Sequence, residues 1–316
     1  MGWMERKIRP MLAYSSDPFD SEEFIWEPKW DGTRTIAFVG EKLRLQNRRL
    51  IDFAYRYPEL SKIKEDVEAK EAILDGEVVV LSQGKPDFRK LQMREHMGDE
   101  LRIELLSQVM PATFMAFDLL YLDGKPLVDI PLEERKAKLM EIVRESPRIL
   151  ISRHVETYGK RYFEGIVRMG LEGAMAKRKL STYQMGKRSR DWLKVKNLKT
   201  MDCVILGYTP GEGWHEQYFG ALVLGAYKGD ELVYVGRVGT GFDEETVKLM
   251  TDMLRKMETH EKAVELSEPF EVRWVRPELV CEVKFLELTH DLKLRAPSFM
   301  RLRDEKAPDE CRIDEG

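Results

Sequence analysis

Short apolar runs separated by charged turns set the rhythm of the first two thirds of the chain. Ile36–Val39, Ile73–Leu81 and Thr113–Leu122 are rich in β-branched or aromatic residues, and Asp31-Gly32 and Asp123-Gly124 supply turn signals beside them. These runs predict strands. The period changes at Leu132–Glu145, where Leu132, Leu139, Ile142 and Val143 fall on roughly one stripe and predict a helix. Tyr162, Phe163, Ile166 and Val167 repeat that stripe in a shorter helix, which Gly170-Leu-Glu-Gly173 breaks.

After about Asn197 the texture is different. Val204–Tyr208, Ala221–Tyr227, Leu232–Val238 and Phe270–Val275 read as short strands between Gly-rich or charged turns, with one helix-like stretch at Glu244–Met257. Around five short strands and one helix in roughly 120 residues suit a small barrel of the OB type. The expected boundary lies near Leu198–Met201, giving domains of residues 1–198 and 199–316. No internal repeat or low-complexity segment stands out.

Composition narrows the class. A hydrophobic fraction of 43% and a charged fraction of 34% describe a globular protein with a densely charged surface. No apolar run is long enough to cross a bilayer. The opening MGWMERKIRPML has no continuous apolar core, so it does not read as a signal peptide. A cytoplasmic location and no membrane partner are the expectation. The three cysteines, Cys203, Cys281 and Cys311, are far apart and lack partners at metal-ligand spacing. They argue against both a zinc module and a disulfide framework.

The formal net charge is −4, yet Lys177 to Lys199 carries nine basic residues and a single acid, Asp191. A phosphate-binding face can sit on an acidic protein, because fields are screened within roughly 8–10 Å. The alternative is a solvated basic hairpin.

The first segment with chemical content is Glu27-Pro-Lys-Trp-Asp-Gly-Thr-Arg34. A lysine is a poor nucleophile while protonated and becomes useful when burial or neighbouring cations favour the amine. Lys29 precedes an Asp-Gly turn, and Arg34 follows five residues later, so both can approach one phosphate group. Standing alone, a lysine before Asp-Gly is a common structural turn. Four more segments follow in order. Leu74-Asp-Gly-Glu77 ends in an acid within a strand-like run, and Ala116-Phe-Asp-Leu-Leu120 places an aromatic in an apolar strand. Glu172-Gly-Ala-Met-Ala-Lys177 supplies an acid and a base. Asp191-Trp-Leu-Lys-Val-Lys196 puts Lys194 and Lys196 on one side of a strand.

This ordered set resembles the covalent nucleotidyltransferase superfamily, and within it the ATP-dependent DNA ligases. Lys29-Trp-Asp-Gly-Thr-Arg34 matches the first motif, whose lysine becomes attached to the nucleotide. Arg48, or its neighbour Arg49, lies where the family has an arginine on sugar and phosphate. Glu77 resembles the third-motif acid, Phe117 the ring that stacks on the base, and Glu172 the fourth-motif acid. Lys194 and Lys196 are similar to the fifth-motif lysines, with Arg188 just upstream. Near the end, Cys281-Glu-Val-Lys-Phe-Leu-Glu-Leu-Thr289 leads to Leu294-Arg-Ala-Pro-Ser-Phe299 and Leu302-Arg-Asp-Glu-Lys306. This resembles an Arg-x-Asp-Lys motif that orients pyrophosphate, with Glu305 in the third place. The compact ligase modules of bacterial end-joining proteins and their archaeal relatives are the most similar subgroup.

The resemblance implies an α+β fold: an ATP-grasp-like adenylation (nucleotidyltransferase) domain of antiparallel sheets with flanking helices, followed by an OB-fold β-barrel. It implies Lys29, Lys194 and Lys196 as catalytic residues. The implied ATP-binding set is Glu27, Lys29, Arg34, Arg48, Glu77, Phe117, Glu172, Arg188, Lys194, Lys196, Arg303 and Lys306. Mg²⁺ or Mn²⁺ would lie near Glu77 and Glu172. The expected partner of a monomer is nicked or broken double-stranded DNA, with an end-joining polymerase or end-binding protein as a helper. An RNA or mixed-substrate ligase, a capping guanylyltransferase and a non-enzymatic nucleic-acid-binding protein are the rivals. Plain structural readings stand beside these: Phe117 as a core strand residue, Glu77 as a strand-edge acid, and Trp192 as core packing. The five histidines form no constellation, and His154 reads as structural.

Overall fold

The computed structural model describes residues 2–211, 216–266 and 269–313. The chain divides into two compact units, Met1–Asn197 and Leu198–Gly316. In the first, Thr33–Val39, Ala72–Ser82 and Ala112–Leu122 are antiparallel neighbours in that order. Arg44–Asn47 pairs with the first of them, and Ile149–Ile151 runs parallel to the last. These strands read as nearly unbroken apolar runs because both of their faces are covered. Ala37 and Val39 enter one core, Ile36 and Phe38 the opposite one.

The first core is closed by the 3-10 segment Pro58–Asp66 and the helix Leu132–Ile142, through Leu60, Ile63, Leu139 and Ile142. The second core joins this sheet to another, of strand order Leu12–Ser15, Arg188–Lys196, Gly173–Arg178, Ser21–Pro28, Val155–Thr157. Met11, Tyr183 and Trp192 from that side meet Ile73, Phe117 and Leu120. The helix Gly159–Arg168 covers the second sheet's outer face with Ile166 against Trp26, Ala174 and Val195. Each fully buried large apolar side chain in these layers stabilises the unit by roughly 1.5–3 kcal/mol.

Two expectations need correcting. The sheets are not wholly antiparallel, since Leu12–Ser15 also runs parallel to Arg188–Lys196. Two helices, Phe88–Glu95 and Glu100–Val109, appear where no stripe was read. In the second helix Leu101, Leu105 and Val109 are exposed while Ile103 and Ser107 are buried, which scrambles the apolar period. Their caps were the legible signal, because the Asp87 and Asp99 side chains accept from the amides of Lys90 and Arg102.

The second unit is one antiparallel sheet of order Glu231–Val238, Phe219–Lys228, Lys199–Pro210, Val280–Phe285, Ser298–Leu302. Bulges at Ile205/Gly207 and Leu224/Gly225 break its register and bend it. Alternate residues again serve two cores, with Cys203 and Ile205 against Met250 and Leu254 of the helix Glu244–Lys256, and Val204 and Leu206 on the other side. Of the expected strand Phe270–Val275, Arg273–Trp274 pairs against Gly207 and Tyr208 at the bulge, and Val275 forms a single bridge to Glu258. Phe270 and Val272 are held by side-chain packing instead of a ladder. All three cysteines are buried free thiols, and burial pushes Cys311 up to about 11. Among the described residues no helix is long and apolar enough to cross a membrane.

Candidate active site

Lys29 stands on the crossover between the two sheets of the first unit. The strand Ser21–Pro28 ends at Pro28, which has no amide hydrogen to extend the ladder. The Lys29 amide then donates to the Gly173 carbonyl at 2.8 Å. Asp31-Gly32 turns the chain into Thr33–Val39 of the other sheet. A Cβ on Gly32 would lie 2.3 Å from the Val78 carbonyl oxygen, so only glycine lets the two strands close at this turn. The lysine side chain is thereby aimed into the space between the sheets.

That space is a cavity of about 230 Å³ whose wall includes Glu27, Lys29, Arg34, Arg48, Glu77, Phe117, Arg188 and Lys194. Eight of the sequence-derived site residues, from five separate segments, therefore meet in one place. Arg48 is in the wall, while Arg49 lines a neighbouring groove. Glu172 reaches Lys29 instead, Oε2 to Nζ at 2.5 Å. Lys196 pairs in register with Gly173 and acts on Lys194 as a close positive charge.

Positive charge gathers at one end. Lys194 has its ammonium held below its ordinary value, first by burial and then by Lys196, Arg188, Lys29 and Arg48. Four of these five cations, Lys194, Arg188, Lys29 and Arg48, line the cavity, and such a cluster suits an anion of high charge. The acids are close by. Burial pushes the Glu77 carboxyl up to about 8, against the opposing pull of Arg34 and Lys29. Asp75 and Glu172 add to that rise.

Arg34 is not free in the way the sequence suggested. Its Nε and Nη2 donate to the two oxygens of Asp75 at 2.6 and 2.7 Å, and Tyr183 donates to the same carboxylate at 2.5 Å. The guanidinium lies over the Phe117 ring, 4.6 Å from its centroid. Asp75 was passed over in Leu74-Asp-Gly-Glu77, although a buried arginine fork calls for a carboxylate.

Glu27 and Lys177 of the same wall belong to a second ionic group, completed by Lys136, whose pairing the sequence reading did not assign. Glu27, 1% exposed, accepts from Lys136 at 2.6 Å and from Lys177 at 2.9 Å. Against burial, which acts to raise it, the two ammonium groups hold the Glu27 carboxyl below its usual range. Burial pushes Lys177 down to about 8. Lys177 also lies 4.0 Å from the Phe117 centroid and 4.4 Å from that of Trp192. A signal existed in the helix Leu132–Ile142, where Arg135 and Lys136 share the buried stripe with Leu132 and Leu139. Cations on an apolar stripe imply buried partners, and Arg135 finds Asp118 at 2.7 and 2.9 Å. Trp192, read as core, is core and cavity wall at once, 1% exposed and edge-on to Phe117 at 6.2 Å. Met175, unremarked in the sequence, lines the cavity as well.

Arg303 and Lys306 belong to the second unit. Both donate to Asp202 there, at 2.9 and 2.5 Å.

Residues 10–196 match the family of the ATP dependent DNA ligase domain, and residues 215–306 match the ATP dependent DNA ligase C terminal region. The chain belongs to the ATP-dependent DNA ligase family. The ligase fold is accordingly an adenylation domain followed by an OB-fold domain. The multifunctional non-homologous end joining protein LigD of Mycolicibacterium smegmatis is 35% identical over 309 residues, which is 95% of this chain and 39% of that protein. The DNA ligase of Thermococcus onnurineus is 32% identical over 330 residues, 97% of this chain and 57% of that one. The chain thus spans between two fifths and three fifths of the length of these relatives. The ligase domain of M. tuberculosis LigD superposes with a TM-score of 0.56 at 30% identity, covering 99% of this chain and 100% of that domain. Every ligase-motif residue from Glu27 to Lys196 lies in the first matched region, and Arg303 and Lys306 lie in the second.

Proposed function

We propose that this chain is an ATP-dependent DNA ligase module that loads AMP onto Lys29 and uses it to close a break in duplex DNA. The observation that carries this reading is the pairing of a sheltered lysine amine with four more cations around one small cavity that also holds an aromatic wall. The Lys29 amine sheds a proton, with Glu172 Oε2 at 2.5 Å the nearest acceptor, and attacks the α-phosphorus of ATP. The bond to pyrophosphate breaks as the P–N bond forms. Lys194, Lys196, Arg188 and Arg48 neutralise the α-phosphate, and the base lies against Phe117 and Met175. Glu77 and Glu172 flank Lys29, a donor pair that fits Mg²⁺ or Mn²⁺ completed by waters and phosphate oxygens. Such an ion would supply further charge neutralisation. AMP then passes to a 5′-phosphate at the break, and the adjacent 3′-hydroxyl displaces it. Arg303 and Lys306 are assigned to the leaving pyrophosphate. The name of the LigD relatives, multifunctional non-homologous end joining protein, supports an end-joining role, and we propose with it a cytoplasmic location and a polymerase or end-binding protein as partner.

The test is incubation with labelled ATP or GTP and Mg²⁺, followed by a denaturing gel. ATP should give a labelled, acid-labile adduct that Lys29→Ala abolishes. An adduct formed from GTP instead, or one that persists in Lys29→Ala, would overturn the assignment.

A further inference from the structure

The two cations assigned to pyrophosphate do not stand alone. Lys306 Nζ and Arg303 Nη1 each bind a different oxygen of one carboxylate, Asp202, at 2.5 and 2.9 Å. Arg303 Nη1 also lies 3.5 Å from Glu282, whose carboxylate takes Arg301 at 2.7 Å, and Arg303 Nε donates to Glu305 at 2.6 Å. Charges alternate along this chain of contacts: Lys306, Asp202, Arg303, Glu282, Arg301.

The three acids differ in how firmly they are held. Asp202 and Glu282 are register partners on the adjacent strands Lys199–Pro210 and Val280–Phe285, and each side chain is 15% exposed. Glu305 sits outside any strand with a 61% exposed side chain. An arriving anion can displace an exposed side chain on a turn far more readily than a carboxylate fixed in a strand ladder. Lys306 and Arg303 would otherwise repel each other, and Asp202 raises Lys306 while Arg303 lowers it. A ligand with several phosphate oxygens needs two cations at a fixed spacing, and a carboxylate bridging both of them sets that spacing.

We propose that Asp202 is a positioning residue, a rigid carboxylate that holds Arg303 and Lys306 together as one pyrophosphate-binding couple, with Glu305 as the exposed side chain that gives way. This rests on the ligase reading above. Asp202 touches no reacting atom in it and acts through the two cations.

The experiment uses the full chain with AMP loaded on Lys29 and follows discharge of the adduct by added inorganic pyrophosphate. In Asp202→Asn the half-saturating pyrophosphate concentration should rise about tenfold, the size expected when one charge-assisted support is lost. Sealing of a nick that already carries 5′-AMP should stay unchanged, whereas a merely structural defect would lower it too. Asp202→Glu should recover part of the response, and Glu305→Gln should not raise the half-saturation. An unchanged or lowered value in Asp202→Asn, or an equal rise in Glu305→Gln, overturns the proposal. Should Asp202→Asn fail to fold, Asp202→Glu carries the comparison alone. It displaces the charge by one methylene, so a wild-type pyrophosphate response there overturns it as well. Failure of the unaltered protein to form any Lys29 adduct would instead sink the ligase reading.

Discussion

Replacing Lys136 by methionine tests whether Glu27 is held as a buried carboxylate. Lys136 and Glu27 are 2% and 1% exposed, and their 2.6 Å contact has little solvent to screen it. Removing one partner of a buried ion pair costs about 3–5 kcal/mol when the survivor is left uncompensated. Here Lys177 remains 2.9 Å from the other Glu27 oxygen, so the lower part of that range applies. We expect Lys136→Met to destabilise the first unit by about 3 kcal/mol, or a fall in Tm on the order of 6–12 °C for a unit of this size. Glu27→Gln alone should cost less, since Lys177, already down to about 8, can give up its proton. In the double variant Glu27→Gln/Lys136→Met no carboxylate is stranded, and the combined loss should fall short of the sum by about 1–3 kcal/mol.

Acidity gives the same logic a second reading. The Glu27 carboxyl is held below its usual range, so its contribution is present above the ordinary carboxylate pKa and is lost as pH falls through the folded value. The penalty of Lys136→Met should therefore be largest near pH 7 and shrink towards pH 4. Urea midpoints of all four proteins at both values supply the cycle. Additivity within about 0.5 kcal/mol at pH 7 would refute the idea that the carboxylate depends on Lys136.

Arg303→Ala should slow adenylation by ATP on the order of 100-fold while sparing closure of a pre-adenylated nick, and Lys194→Ala should impair both; equal defects in both steps for Arg303→Ala would move that residue to the nucleic-acid interface. Asp75→Asn should destabilise the first unit by about 2–3 kcal/mol, read by urea denaturation, because it strips the bidentate partner of Arg34; a loss below about 0.5 kcal/mol would rule that support out. Glu77 titrates at about 8 in the folded chain against an ordinary 4.5, so its protonated form favours folding and that advantage drains away as pH rises from about 5 to 8. Glu77→Gln should gain on the parent across that window, and urea midpoints that move in parallel for both proteins would refute it. Binding to nicked duplex should weaken steeply with salt, as phosphate contacts require, and a flat dependence by fluorescence anisotropy would exclude a phosphate-dominated interface.

The cavity-lining residues were legible because each motif is local. Lys29 before Asp-Gly, Glu77 closing a strand-like run and Phe117 within an apolar strand could be placed without knowing their neighbours. What the sequence hid were the counter-charges, which come from far away in the chain. Glu27 meets Lys136 across 109 positions and Lys177 across 150, and Arg303 meets Asp202 across 101. No periodicity reports such a contact. The fold shows the same division: Ala72–Ser82 and Ala112–Leu122 announced themselves by β-branched runs, whereas Glu100–Val109 did not, because its apolar residues are largely exposed.

The counter-charges also explain how a site proposed for a polyphosphate can sit in a chain of net charge −4. Lys29 has Glu172, Arg34 has Asp75, Lys136 and Lys177 share Glu27, and Arg303 and Lys306 share Asp202. Each carboxylate cancels charge in the total while fixing a cation in place, so summation erases what geometry concentrates. Lys194 shows where cancellation stops. After burial, its strongest neighbours are Lys196, Arg188, Lys29 and Arg48, all of one sign, so an anion entering among them would relieve their repulsion. A cation held by its own acid positions a substrate, and a cation held among other cations calls for one. Both kinds line this cavity, and the second kind marks the place of the α-phosphate in the proposed reaction.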